Sequence, residues 1–357
     1  MLAKEFHNVR ISGIACAVPN HKVMTDEYKG QFDDAAVERF KKATGIESRY
    51  ISDGTQTASD LCYVAAEQLL SEKSVDRGEI DAIIFITQSP DYTRPSTAFV
   101  LHKRLKAKKD CVAFDINLGC SAFVNGVYMI AGMIESGAFE KALLLIGDAG
   151  TLVESPQNDI SFRLLFGDAG AAILMEKGEE SIRGAIRSDG EGYQTLITPI
   201  PGYRFPGIMK SDDPALQKHM DGDDVFLFTI TKIPKLFKEY YNIFSTQEND
   251  YDYFILHQAN RMIVEQIAKK LKVSMNKVPI SLDRYGNTDG PSIPVGIVDL
   301  CEKLEKNKKI RLITSGYGIG LSWGIVSFEI NTSDILPMIF TDDYFAEGRI
   351  IGPHEDA

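Results

Sequence analysis

The sequence predicts an α/β protein built from two pseudo-symmetric halves. Strand-like apolar runs alternate with helix-period segments, as in proteins whose sheets are covered by helices. The same succession of elements occurs twice along the chain. The composition also supports a large core: 44% of the 357 residues are apolar and 25% are charged, ordinary proportions for a globular protein.

DAIIFITQS (Asp81–Ser89) is apolar at every position from Ile83 to Ile86, the mark of a strand covered on both faces. Its counterpart in the second half is DYFILHQAN (Asp252–Asn260). FDINLG (Phe114–Gly119) and SLDRYG (Ser281–Gly286) form the next pair, each read as a short strand broken by Gly before a helical segment. KALLLIG, ending at Gly147, and KIRLITSG, ending at Gly316, form the third. All three pairs keep one order and one offset of roughly 170 residues. Helix-period segments lie between them, among them Ala65–Leu70 and Met262–Leu271. Another follows Gly119, where Phe123, Val127, Ile130 and Ile134 share one face and Gly137 supplies an end. The expected organisation is a first half over 1–183, a second half over 184–330, and a C-terminal extension over 331–357. That extension holds Pro337, Pro353 and several acids, and reads as a packed arm or a frayed tail.

A net charge of −11 makes a poor nucleic-acid binder. Five cysteines with no CxxC pair, and six histidines with no HExxH, argue against a disulfide framework and a bound metal. No run approaches the roughly 20 apolar residues of a membrane span. The first residues carry Glu5, His7 and Arg10 where a signal peptide needs an apolar core, so the expected location is cytoplasmic.

Cys120 stands between the strand Val112–Asn117 and the helix that follows, at a helix N-terminus, where free N–H groups and the dipole favour a thiolate. Cys16, Cys62, Cys111 and Cys301 read as small core residues. His257 ends the apolar strand Tyr253–Leu256, and Asn287 lies in the second-half equivalent of the Cys120 turn. The duplication brings all three to corresponding strand ends, where open α/β sheets collect ligands.

Five segments carry a resemblance: NLGCSAFVNG, FGDAGAA (Phe166–Ala172), HQAN (His257–Asn260), GNTDGPSIP (Gly286–Pro294) and SGYGIGLSWG (Ser315–Gly324). As an ordered set spanning about Val9 to Ile330, the chain resembles the 3-oxoacyl-acyl-carrier-protein synthase III family of the thiolase-like superfamily. The resemblance implies a five-layered αβαβα homodimer and a Cys-His-Asn triad of Cys120, His257 and Asn287. Cys120 would take an acyl group from a coenzyme A or carrier-protein thioester. A malonyl-acyl-carrier protein would then condense with it after loss of carbon dioxide, initiating fatty acid biosynthesis. His257 and Asn287 would donate to the thioester oxygen, and the backbone N–H groups of Cys120 and Ile319 would hold the tetrahedral oxyanion. No metal, nicotinamide or flavin is needed for that reaction.

The resemblance also places Arg94, Phe166 and Gly318 around the acyl group, and docks an acidic carrier protein on Arg261, Lys269 and Lys270. Two positions depart from the family. Arg39 stands where a Trp stacks on adenine, leaving an Arg to hold the base. Arg94 stands where a Phe crosses the dimer to close the partner's acyl pocket, which suggests a short or polar acyl group. Two alternatives remain: a related enzyme of polysaccharide or specialised metabolism, and a non-catalytic binding protein of the same fold. A papain-like hydrolase, also Cys-His-Asn in chain order, would need a secreted, disulfide-bearing context that is absent.

Overall fold

The computed structural model describes residues 1–151, 159–211, 213–318 and 320–345. Its strands are β1 Leu2–Pro19, β2 Lys22–Met24, β3 Ser48–Tyr50, β4 Ala82–Ile86, β5 Val112–Ile116, β6 Lys141–Asp148 and β7 Ala169–Ser188. They continue with β8 Leu196–Ile197, β9 His219–Met220, β10 Tyr253–Leu256, β11 Lys309–Gly318, β12 Ser322–Asn331 and β13 Ile339–Thr341. Among the described residues, nine of them join in one sheet. Its path is β10-β11-β12-β7-β6-β4-β5, with β1 along β7 and β13 along β1.

The duplication read from the sequence is a duplication of hydrogen-bonding order. In the first half β4 runs parallel to β6, β6 antiparallel to β7, and β7 antiparallel to β1. In the second, β10 runs parallel to β11, β11 antiparallel to β12, and β12 antiparallel to the end of β7. The two arrangements share long strands. β7 (20 residues) pairs with β6 through its first part and with β12 from Arg183 onward, while β1 (18 residues) follows it along both parts. The expected boundary between 183 and 184 thus falls inside a continuous strand.

One expected strand is absent. Ser281–Gly286 holds a single helical turn, because the N–H groups of Arg284 and Tyr285 both donate to the Ser281 carbonyl. Leu282 and Tyr285, three residues apart, are both buried, a helical and not an alternating pattern. Gly286 ends the turn with φ 69°, a conformation that favours glycine. The second half therefore has no partner to β5.

The helices are α1 Asp34–Thr44, α2 Ala58–Glu72, α3 Thr97–Arg104, α4 Ala122–Glu135, α5 Ile160–Leu165, α6 Gly222–Phe244, α7 Arg261–Leu271, α8 Leu282–Tyr285 and α9 Ser292–Cys301. α4 and α9, which follow the two equivalent turns, contribute to one core with β4, β6 and β12. Phe123, Val127, Ile130 and Ile134 form the buried face of α4, as the spacing predicts. Gly126 lets that helix close on the sheet, since a Cβ there would stand 2.8 Å from Ile86 and 2.9 Å from Leu144. Cys16, Cys62, Cys111 and Cys301 are buried core residues.

The described part of the extension is a packed arm. β13 pairs with β1 through Ala17↔Ile339, and the Phe345 ring meets Tyr63 at 4.7 Å and the Arg104 guanidinium at 4.5 Å. Residues 346–357 lie outside the described residues. Among the described residues no helix is long and apolar enough to cross a membrane.

Leu144 is fully buried where β6 meets α4. Leu144→Ala is expected to lower unfolding free energy by about 2–5 kcal/mol, measured by urea titration.

Candidate active site

β5 ends at Ile116, and Gly119 leads into a turn closed by the Ala122 N–H donating to the Gly119 carbonyl at 2.7 Å. Cys120 sits in this turn, just before α4, and is 9% exposed. The second half holds the turn from the far side. Ser121 Oγ donates to Ser322 Oγ at 2.9 Å, and Asn125 Nδ2 donates to Ser322 Oγ at 3.3 Å. Gly318, at the end of β11, lies so close that a Cβ would be 2.5 Å from the Cys120 Cβ and 2.7 Å from its Sγ. Only glycine fits there without moving the thiol.

His257 follows β10, its backbone N–H donating to the Ser315 carbonyl at 2.9 Å. The Tyr317 hydroxyl donates to the His257 carbonyl at 3.0 Å, and the Tyr317 ring meets the imidazole edge to face at 5.5 Å. Nδ1 pairs with Ser292 Oγ at 2.6 Å, at the start of α9. With the Ser292 hydroxyl donating to Nδ1, the neutral ring carries its proton on Nε2. Complete burial pushes the imidazole from its ordinary 6.5 down to about 3, so it is neutral at physiological pH.

Asn287 is buried, and its backbone is fixed on both sides. Its N–H donates to the Leu165 carbonyl at 3.0 Å, and its carbonyl accepts from Gly167 N–H at 3.0 Å. Its side-chain Oδ1 accepts from the Asp289 N–H at 3.0 Å, which leaves the amide NH2 to donate elsewhere. Neighbouring residues thus connect the three positions across the two halves. Cys120 and His257 are linked through the consecutive residues Gly318 and Tyr317, and Cys120 and Asn287 through Asp289, whose Oδ1 accepts from Cys120 Sγ at 3.0 Å.

Of the other residues expected around an acyl group, Phe166 and Gly318 are at the site. Phe166 bridges to Asn287, and the Lys218 ammonium lies 5.3 Å from the rings of Phe162 and Phe166. Arg94 is exposed and bonded through Nη2 to the Tyr203 hydroxyl at 2.5 Å. Arg39 is exposed on α1 and faces Asp33 at 3.6 Å. Arg261 is paired with Glu265 at 2.9 Å and packs across Gly45, and Lys270 donates to the Ile230 carbonyl at 2.8 Å. Lys269 is exposed on the same helix. Ile319 lies outside the described residues.

Sequence reasoning passed over Asp289, Ser292 and Tyr317. The signal for the first was an acid two places after Asn287 in GNTDGPSIP. The other two act on His257 through the fold, and their spacing carries no separate sign. Asp168 of FGDAGAA is also explained: its buried carboxylate accepts from the N–H groups of Ser52, Gly150 and Thr151 and from the Thr151 hydroxyl, tying three segments beside the site.

A duplicated α/β sheet with these groups at its centre defines the class: a thiolase-fold acyltransferase of the condensing type. The family model for 3-oxoacyl-[acyl-carrier-protein] synthase III matches residues 114–190, and the model for its C-terminal part matches 245–330. The beta-ketoacyl-[acyl-carrier-protein] synthase III of Streptococcus gordonii is 33% identical over 88% of this chain and 97% of its own length. A solved 3-oxoacyl-(acyl-carrier protein) synthase from Burkholderia xenovorans superposes with a TM-score of 0.89 at 33% identity, covering 95% of this chain and 99% of that one. Xanthomonas campestris OleA, 23% identical with a TM-score of 0.76 over 91% of this chain and 97% of its own, shares the fold. The chain belongs to the 3-oxoacyl-acyl-carrier-protein synthase III family.

Gly318→Ala is expected to reduce covalent labelling of Cys120 on the order of 100-fold while circular dichroism stays unchanged, since the added methyl must displace the thiol. His257 carries a second expectation. Its folded pKa lies below its unfolded value, so its stabilising contribution is complete above about 6.5 and is lost as pH falls toward about 3. Wild type should lose more stability over that window than His257→Gln, read from urea midpoints.

Proposed function

We propose that the enzyme forms an acyl-Cys120 thioester and condenses it with a malonyl thioester on an acyl-carrier protein, a step that starts an acyl chain. The observation that carries this reading is the meeting of Cys120 with the second-half elements that hold His257 and Asn287. Transfer of the acyl group breaks the donor's C–S bond and forms the bond to Cys120 Sγ. The malonyl thioester oxygen is then held by Nε2–H of His257 and the NH2 of Asn287. Loss of carbon dioxide moves its electron pair into an enolate, whose negative oxygen both donors stabilise. The enolate carbon attacks the acyl carbonyl, and collapse of the tetrahedral adduct expels the Cys120 thiolate. A neutral imidazole suits this role, because it donates without protonating the enolate oxygen.

The carrier protein would approach over α7, which begins beside His257 and carries Arg261, Lys269 and Lys270 toward an acidic partner. A homodimer accompanies the reading. β5 is an edge strand with Val112 exposed and Phe114 and Ile116 half-buried, a free ladder that a second copy can cover. In such a dimer Arg94 belongs to the partner-facing surface and not to its own chain's site. Lys218 beside Phe166 favours a short or polar acyl group over a long aliphatic one, which keeps a role in specialised or polysaccharide metabolism as the second reading.

Intact-mass spectrometry after incubation with acetyl-coenzyme A and malonyl-acyl-carrier protein tests the scheme. A single acyl adduct on Cys120 is expected, absent in Cys120→Ala. His257→Ala and Asn287→Ala should keep the adduct but lower condensation by about 100–1,000-fold each. Unchanged condensation in Cys120→Ala would overturn the proposal.

A further inference from the structure

The GNTDGPSIP loop holds a carboxyl group against the sulfur of Cys120, with Sγ donating to Asp289 Oδ1 at 3.0 Å. We propose that Asp289 is a further catalytic residue, the group that takes the Cys120 proton as the thiol attacks the acyl donor. This rests on the reading of Cys120 as the nucleophile.

The placement is built by the loop. Asp289 adopts φ 52°, in the left-handed region that Asp and Asn tolerate better than other non-glycine residues. Its N–H is held by Asn287 Oδ1 at 3.0 Å, and its carbonyl accepts from Ser292 N–H at 3.2 Å. The carboxyl is therefore anchored between Asn287 and Ser292, the partner of His257. Across from it, Gly119 leaves the needed room: a Cβ there would be 2.7 Å from Asp289 Oδ1 and 2.3 Å from Gln88 Oε1.

The charged and titratable surroundings favour one shared proton. A thiolate and a carboxylate in contact repel strongly in a site of low dielectric, so the pair holds a single proton across a wide pH range. Burial raises the Asp289 carboxyl, while the thiol contact and the Lys218 ammonium act in the opposite direction. Tyr317, on the His257 side, is kept protonated by burial and by the nearby thiol, and His257 is neutral. Asp148 is turned to the next backbone group, its Oδ2 accepting from Gly290 N–H at 3.1 Å. Cys120 is thus the acid in hydrogen-bond contact with Asp289.

In the proposed step the Sγ–H proton passes to Asp289 Oδ1 as Sγ bonds to the thioester carbon. When the tetrahedral adduct collapses, the C–S bond to the donor breaks and its electron pair leaves with the donor sulfur. That sulfur takes the proton from Asp289. The carboxylate is regenerated, and no further reactant is consumed.

The test uses the full chain with iodoacetamide, a probe independent of acyl preference, and acetyl-coenzyme A. Alkylation of Cys120 is followed by peptide mass spectrometry from about pH 5.5 to 9 in wild type, Asp289→Asn and Asp289→Gly. Both substitutions suit the positive φ, so each checks the other against misfolding. A nearly flat rate between about pH 6 and 8 is expected in wild type. Each variant should be slower by tenfold or more near pH 6 and gain about tenfold per pH unit, as an unassisted thiol does. Variants with the wild-type rate and profile would overturn the assignment. Acetyl-adduct formation separates the two levels. An adduct that forms at the same rate in wild type and Asp289→Asn removes Asp289 alone, and no Cys120 adduct in wild type removes the nucleophile reading and this proposal with it.

Discussion

The site depends on one steric constraint: backbone of the second half lies directly on the turn that carries Cys120. Gly316 and Gly318 of β11 leave no space for side chains there, a Cβ on Gly316 falling 3.0 Å from the Cys120 carbonyl and one on Gly318 still closer to the thiol. Ser322 then fixes Ser121 and Asn125 at the start of α4. Such contacts are dense packing at a polar site, where a displacement of one atom is felt by its neighbours. Gly316 and Gly318 of SGYGIG are therefore explained by proximity to a cysteine from the other half, while Gly320 takes a φ of 125°.

Around this contact, buried polar groups are assigned one by one. The His257 carbonyl accepts from Tyr317 and its Nδ1 pairs with Ser292, while the ring's burial keeps it uncharged. Asp148 accepts from the Gln88 N–H through one oxygen and the Gly290 N–H through the other, joining a first-half loop to the second-half turn. Asp168 does the same for Ser52 and the 150–151 backbone. Each acid spans segments distant in sequence, so the loops around the site are braced by charge-assisted hydrogen bonds as well as by apolar packing.

Much of this was legible in the chain. The repeated strand pattern anticipated β4 with β10 and β6 with β11, and the 3.6-residue stripe anticipated the buried face of α4. Cys120 and His257 stood out because each follows a strand of the repeated pattern, while Asn287 follows the helical turn α8 where the repeat predicted a strand. The second member of the FDINLG and SLDRYG pair misled, since a run this short shows the three-residue spacing of Leu282 and Tyr285 only once their shared burial is seen. Arg94 and Arg39 could not be placed from spacing, because the direction of a side chain in a loop or on a helix surface depends on contacts that sequence order does not encode. Asp289 was hidden for a related reason: its significance comes from a sulfur 169 positions away.

β1 and β7 extend without interruption through both lobes, and each bonds to the other along nearly its whole length. A hinge between the halves would have to rupture that ladder, so Cys120 and the second-half elements carrying His257 and Asn287 are tied to one continuous framework. Conformational freedom is left to segments outside that framework, such as the loop bearing Tyr203, which is 75% exposed. Substitutions in such segments can alter the surface of the protein while the ladder that holds both halves stays unchanged.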